Sequence, residues 1–469
     1  MATTLAAPPG APTATTAVAP ITSRRWVRPA LWAAIPLAAV ALVATRYRRT
    51  YFFYDEWGMI GRVVEGHHHL ATAFTLFNGH LVAWSYFAYL AQVRWFGLVG
   101  HAPIFVLFCL SLVAMHMALA ATLTAFEVPD VVALLAAGAV TYFGPGAQNM
   151  VFEVQLSWNF AYAFAFCAAA VVLRGRPSWS RAAAGAALML VAMGADSVVA
   201  VLVGSVLGIG ALLRWRRPLA LLPIVPAALL ESWLWIFAAG NGSFPPPRSV
   251  GEAWRFAWRL ALTAVGGLVG GKARAGALAV GVVLAALVPV VARRRLQAPG
   301  TTALVAGGSA GAGAVVAVTW TRAAVVGSDL QDFNRYIQLG AVFLLVALLP
   351  PAVGLAVHRT PGSTPRRWPV AVAVAAVGVV FIANVPTLRA YRHTFEGWNQ
   401  QSHLLVSESV AVLDHGCPPG TRADPSGQPL GYLGPQVTVG LLQLLRKQNV
   451  SLPRATVLDG KVMSLICRP

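Results

Sequence analysis

Charge is what this sequence has least of. Only 11% of its 469 residues are Asp, Glu, Lys or Arg, against 57% hydrophobic, and 16 acids face 35 bases. Soluble chains carry about 25% charged residues, so this composition excludes a soluble enzyme and places most of the chain in lipid. Lysine is nearly missing, with Lys272, Lys447 and Lys461 the whole set, and arginine supplies most of the net charge of +19. So basic a balance raises nucleic acid as a partner. The arginines instead cluster in short segments between apolar runs, as the positive-inside rule requires, and nucleic-acid binding is set aside. Cysteine is scarce too: Cys109 and Cys167 lie in apolar runs, Cys417 and Cys467 in the polar C-terminal stretch. The latter two can pair if that stretch faces an oxidising compartment, two unpaired thiols being the alternative. No Cys or His spacing matches a zinc site.

What is present is a series of apolar runs. Residues 1–28 read as a disordered cytoplasmic tail, rich in Ala, Thr and Pro and ending in Arg24, Arg25 and Arg28. The run from Pro29 to Ala44 resembles a signal peptide's apolar region, but an uncleaved first span better explains the orientation of later loops. Further runs near 102–126, 131–144, 154–173, 181–195, 196–213, 219–239, 275–292, 301–321, 336–357 and 369–386 bring the expected total to about eleven spans. The stretch 182–213 is split at Gly194-Ala195-Asp196-Ser197, where a polar hairpin can turn. With the amino terminus inside, Arg174, Arg176 and Arg181, then Arg214, Arg216 and Arg217, then Arg293, Arg294 and Arg295, then Arg359, Arg366 and Arg367 all fall on the cytoplasmic side. The link Phe126-Glu127-Val128-Pro129-Asp130 is the exception, having no basic residue. The expected fold is therefore all-α and polytopic in the plasma membrane. A transmembrane domain over 29–386 carries a long outer loop at 46–100, and an extracytoplasmic segment follows at 387–469.

Asp55 and Glu56 form an adjacent acidic pair about ten residues past the first span. Acids so close to arginines and an apolar interface suit a general base and equally suit a plain ion pair. After them Trp57, Ile60, Val63 and Val64 recur at helical spacing, and Trp84, Tyr86, Phe87, Tyr89, Trp95 and Phe96 crowd the following stretch. Such faces predict amphipathic helices lying at the headgroups. His67-His68-His69 reads as a solvated loop. Glu231 falls inside an expected span, where an ionisable group is either functional or paired. Trp254, Arg255, Trp258 and Arg259 read as a helix resting at the headgroups. Gly266 to Gly271 lacks the Lys-Ser or Lys-Thr ending of a phosphate loop, so no nucleotide cofactor is expected.

A multi-span chain with Tyr54-Asp55-Glu56-Trp57 just after its first span resembles the GT-C superfamily of polyprenyl-phosphate-sugar-dependent membrane glycosyltransferases. The likeness is to a bacterial branch with an Asp-Asp-Trp or Asp-Glu-Trp motif. Phe77-Asn78-Gly79-His80 resembles that branch's His-Asn-Glu-His-like element at Asn78 and His80 only, and departs from it at Phe77 and Gly79. The stretch from Gly146 through Glu153-Val154-Gln155 resembles its polar loop before the fourth span, and Asn334-Arg335-Tyr336 its Ser-Arg-Tyr element with one departure. The resemblance implies inverting transfer of a sugar from a polyprenyl phosphate to an outer-face glycan, glycolipid or protein acceptor, beside the lipid bilayer. It implies Asp55 as general base and Glu56 as a group that positions the acceptor or joins Asp55 in holding a divalent cation. Arg48, Arg335 and Arg322 are the implied donor-phosphate ligands, and Trp57, Asn78, His80, Gln155 and Tyr336 the implied substrate contacts. A transporter or flippase for a lipid-linked sugar is the main rival, and a catalytically silent scaffold the second. No internal repeat of the transporter kind is visible, and the polar residues gather at one end of the spans.

Overall fold

The computed structural model of the chain describes residues 27–45, 51–142, 149, 152–238, 246–267, 274, 277–278, 281, 298–326, 334–357, 368–417, 419, 422–423, 437–455 and 460–468. Arg48, most of the expected tail and most of the run at 275–292 lie outside them. Helices dominate. In chain order they are α1 (Val27–Ala44), α2 (Asp55–Glu65), α3 (His69–Ala73), α4 (Ala83–Ala91), α5 (Ala102–Ala125), α6 (Asp130–Thr141), α7 (Leu156–Leu173) and α8 (Trp179–Ala195). There follow α9 (Ser197–Trp215), α10 (Val225–Ala238), α11 (Val250–Gly267), α12 (Ala298–Val326), α13 (Asn334–Val357), α14 (Trp368–His415), α15 (Val439–Lys447) and α16 (Gly460–Ile466). The two short strands β1 (Arg422–Ala423) and β2 (Cys467–Arg468) pair antiparallel.

Five helical stretches are long and apolar enough to cross a membrane among the described residues: Ala102–Ala125, Glu153–Leu173, Ser197–Trp215, Pro299–Ala324 and Arg335–Gly354. Shorter apolar helices at Asp130–Thr141, Trp179–Ala195 and Val225–Leu234 coincide with further expected runs. Together they form the core of a helical membrane bundle. α7 packs between α5, α8 and α9, and α12 packs against α9 and α13. α5, α7 and α9 end on the same side of the bundle, where arginines at the ends of α7 and α9 meet the end of α5. Arg174 donates to the carbonyl of Ala121 at 3.0 Å and Arg214 to that of Ala125 at 3.1 Å. Both satisfy carbonyls at the C-terminus of α5, where cations also complement the helix dipole. The expected hairpin at Gly194-Ala195-Asp196-Ser197 is a single turn. Asp196 ends α8, and its carboxylate accepts from Val199 N–H at 3.0 Å to cap α9.

At the opposite end sits a second, separate core, the cap, assembled from residues 51–112 and the distal half of the chain. α14 links the two cores. Its 48 residues span about 72 Å at 1.5 Å per residue, more than twice the roughly 30 Å of bilayer hydrocarbon, and it runs unbroken through the expected boundary at 386/387. In the cap, Trp57 donates from Nε1 to Phe52 O at 3.1 Å and lies 3.4 Å from Ser402 Oγ on α14. Leu98 N–H donates to Ser451 O at 2.7 Å, and Gln448 Nε2 to Val64 O at 3.0 Å. Cys417 and Cys467 are joined in a disulfide beside the β1–β2 pair.

The cap corrects one expectation. Trp57, Ile60, Val63 and Val64 do form one helical face, but all four are buried against protein rather than turned to headgroups. That face meets α4, α15 and the aromatic side chains of 51–53, so protein takes the place the bilayer was expected to fill. The exposed aromatic surface of the segment lies elsewhere, at Phe74, Trp84, Trp95 and Phe96. Trp254 and Trp258 on α11 are likewise exposed.

Candidate functional site

The site lies at the seam between cap and bundle, and three local devices build it. The first is the turn into α2. Tyr54 has φ 48° and ψ −112°, a conformation that strains any residue with a Cβ by about 1–3 kcal/mol. Three hydrogen bonds hold it: Glu56 N–H to Phe53 O at 3.1 Å, Trp57 N–H to Tyr54 O at 3.0 Å, and Phe53 N–H to Glu56 Oε2 at 2.9 Å. The strained turn sets Asp55 at the first position of the helix, facing the bundle.

The second device is Phe77-Asn78-Gly79-His80. Phe77 and His80 exchange backbone hydrogen bonds at 2.8 and 3.0 Å, and Asn78 and Gly79 take φ values of 51° and 81°. Positive φ at both central residues is the Asn-Gly hairpin turn, which explains why glycine stands at 79. Leu81 and Ser197 then bond to each other's chain, Ser197 N–H to Leu81 O and Leu81 N–H to Ser197 Oγ, each at 3.3 Å. These bonds bring His80 to the α8–α9 turn. Its Nδ1 lies 3.3 Å from Asp196 Oδ1.

The third device is the α12–α13 pair. Arg322 donates from Nε to the Tyr336 hydroxyl at 2.6 Å, and its Nη2 lies 3.3 Å from His80 Nε2. Arg335 reaches across to Asp55, Nη1 to Oδ2 at 3.7 Å, with its guanidinium 5.3 Å from the Tyr336 ring centre. Trp158 on α7 meets the Tyr336 ring edge-on at 5.7 Å.

Asp55, Asn78, His80, Gln155, Arg322, Arg335 and Tyr336, drawn from sequence positions hundreds of residues apart, thus line one narrow polar cleft of about 40 Å³. The cleft adjoins an apolar chamber of about 500 Å³, a volume typical of ligand sites. His80, Asn78, Trp158, Arg322 and Tyr336 line both cavities and so form the junction. Beyond it the chamber wall is Leu76, Val198, Leu234, Val316, Trp320 and Leu339, with Glu231 on the same wall. Gln155 Oε1, Asp196 Oδ2 and Arg335 Nε are buried with no hydrogen-bond partner among the described residues. A buried polar atom left so costs about 1–3 kcal/mol, which a hydroxyl-bearing ligand would recover.

Two expected site residues are not in the cleft. Glu56 is fully buried and accepts from the Tyr89 hydroxyl at 2.5 Å as well as from Phe53 N–H. Burial, and then the negative charge of Glu153, push its carboxyl well above the usual carboxylate range. The same burial, and the neighbouring Glu56, raise the Tyr89 phenol. Glu56 therefore holds the turn that aims Asp55 rather than facing a substrate. Trp57 is a packing residue tied to α14. The acids do not converge on a divalent cation, because both Glu56 oxygens are already engaged and Asp55 has Arg335 beside it. No cluster of three or more His, Cys, Asp or Glu side chains able to hold a metal ion occurs among the described residues.

Residues whose importance the sequence signalled only faintly include Asp196, now central to the cleft, and the buried group of Tyr89, His101 and Glu153 behind Glu56, where His101 and Glu153 lie 3.8 Å apart. An acid between two apolar runs was the signal for Asp196; Tyr89 stands in the aromatic stretch and Glu153 in the polar loop before α7, while nothing local marks His101. The chain matches no protein-family model, and comparison with curated proteins and with solved structures returns no match.

Proposed function

We propose that this chain is a multi-pass glycosyltransferase of the GT-C kind, which moves a sugar from a polyprenyl-phosphate donor to an outer-face glycan, glycolipid or protein acceptor. One observation carries the reading: a polar cleft holding Asp55 opposite two arginines opens, through Arg322 and Tyr336, into an apolar chamber. A lipid-linked donor has the same order of parts, with apolar chain, anionic phosphate and hydroxyl-rich sugar in series. The chain lies in the chamber, the phosphate at Arg322 and Arg335, and the sugar against Gln155, Asn78 and Asp196. Arginine's fork suits phosphate oxygens.

In the reaction the acceptor oxygen attacks the anomeric carbon and gives its proton to the Asp55 carboxylate. The bond from that carbon to the phosphate oxygen breaks, and its electron pair leaves with the phosphate, which the guanidinium groups stabilise. In this reading the acceptor activated by Asp55 approaches the anomeric carbon from the side opposite the departing phosphate, which gives inversion. The eleven-span topology in the plasma membrane, with amino terminus inside and cap outside, belongs to the same proposal. Arg174 and Arg214, gathered at the end of the bundle remote from the cleft, support it.

The test compares the envelope glycans of a strain lacking the protein, complemented with wild type or Asp55→Asn at equal membrane levels. Loss of one sugar, restored by wild type alone, is the expected result and names the donor. Full restoration by Asp55→Asn removes the general base, and transport or scaffolding becomes the better account.

A further inference from the structure

Asp196, His80, Arg322 and Tyr336 form a hydrogen-bonded row across the junction of cleft and chamber, and its direction is fixed by arginine. A guanidinium has donors and no acceptor, so Arg322 Nη2, 3.3 Å from His80 Nε2, points its hydrogen at a lone pair on that nitrogen. The His80 proton must then sit on Nδ1, facing Asp196 Oδ1 at 3.3 Å. In this arrangement the ring is neutral, with its basic nitrogen covered by a cation that has a better partner whenever a phosphate is present. Asp196 is 1% exposed, and its second oxygen has no partner among the described residues.

We infer that the Asp196–His80 pair is a receptor for the second negative charge of a lipid phosphate, so that a phosphate monoester binds together with one proton while a diester binds without it. This rests on the donor-lipid reading above and adds to it a distinction between donor and product. The donor is a phosphodiester with one charge; once its sugar leaves, the phosphate becomes a monoester carrying two. When Arg322 turns to that phosphate, His80 Nε2 is uncovered beside an anion, with Asp196 at its other nitrogen. Both anions favour the imidazolium, which takes a proton from solvent and donates it in a hydrogen bond to phosphate oxygen. The charged and titratable groups facing His80 are Asp196 from the α8–α9 turn, Arg322 from α12, Arg335 and Tyr336 from α13 and Asp55 from α2, with Glu231 of α10 in the adjoining chamber. The two arginines oppose the added charge until the phosphate neutralises them, which ties proton uptake to the ligand.

The experiment is calorimetry on the full chain in nanodiscs at pH 7.5, using decyl phosphate and decyl methyl phosphate in two buffers of different ionisation enthalpy. Wild type is expected to take up about one proton with the monoester and close to none with the diester. In His80→Gln the monoester should still bind, within roughly tenfold of wild type, with the uptake gone. Asp196→Asn keeps an oxygen to cap α9 and should reduce the uptake without removing the histidine. Monoester binding without proton uptake in wild type, or uptake that persists in His80→Gln, overturns the proposal and leaves the donor-lipid reading standing. Failure of wild type to bind either lipid overturns both. The wild-type contrast decides the matter even if neither variant folds.

Discussion

In the bundle, helices meet through their smallest residues. A Cβ added at Gly307 on α12 would come within 2.6 Å of the Ala347 backbone nitrogen on α13, so the two backbones touch. In the cap the opposite holds: Phe52, Trp57, Tyr86 and Tyr89 are all fully buried, a disulfide closes the C-terminal part, and side chains bond to distant backbone. The first core is built of helices long and apolar enough to cross a membrane, where lipid cannot drive apolar helices together and close backbone contact does. In the second, burial of aromatic area does the work. The cleft draws one wall from each: Asp55 from the cap, and Arg322, Arg335 and Asp196 from the bundle.

If the cores are separate, damage to one should leave the other folded, and only changes at the seam should abolish function alone. Asp55→Asn has the largest expected effect, a loss of about 10²–10⁴-fold in transfer with hydrogen exchange in α7 and α15 unchanged. Slowed transfer accompanied by loss of protection in α15 would instead place Asp55 among the structural residues. Trp57→Ala should cost the cap about 3–5 kcal/mol, seen as fast exchange in α15 and α16 while α5 and α7 stay protected. Cys417→Ser, or reduction of the wild type, should cost about 2–4 kcal/mol in the same elements, since the bond closes a separation of 50 residues. Gly307→Ala should cost about 1–3 kcal/mol by forcing α12 from α13, and a thermal shift confined to bundle protection checks it.

The smallest effect is a pH slope. Glu56 has its folded affinity for protons raised above the unfolded value, so its contribution is complete below the unfolded pKa and is lost as pH rises through the folded one. Cap stability should therefore fall on raising pH above the ordinary carboxylate range, by at most about 1.4 kcal/mol per unit. Glu56→Gln should flatten that slope, and an unchanged slope in the variant would assign it to another group.

Much of the bundle was legible because run length and arginine position are local signals. The turn at Asp196 could be placed from four residues. The cap was not legible, since the partners of α2 lie 345 and 384 residues further along the chain at Ser402 and Gln448. For the same reason the apolar stripe of Trp57, Ile60, Val63 and Val64 was assigned to the bilayer: spacing shows that a face is covered, not by what. Spacing alone does not separate Asp55 from Glu56, although the resemblance singles out Asp55 as the base; neighbours on a helix point about 100° apart, and Tyr89 and Arg335 show which acid faces the cleft. The Asn78-Gly79 pair is also a turn that its two residues alone announce.

The spacing of the cap's two parts along the chain has a consequence in time. A ribosome adding about 5–20 residues per second needs roughly 20–70 s to travel the 345 residues from Trp57 to Ser402. Throughout that interval the bundle can insert helix by helix, but α2 has only α4 and residues 51–53, without α14 and α15, to cover its apolar face. The adjacent bilayer surface is the apolar phase within reach. The position that the stripe misreports for the finished molecule is the one α2 should occupy during synthesis, and the cap closes only when the last helices arrive.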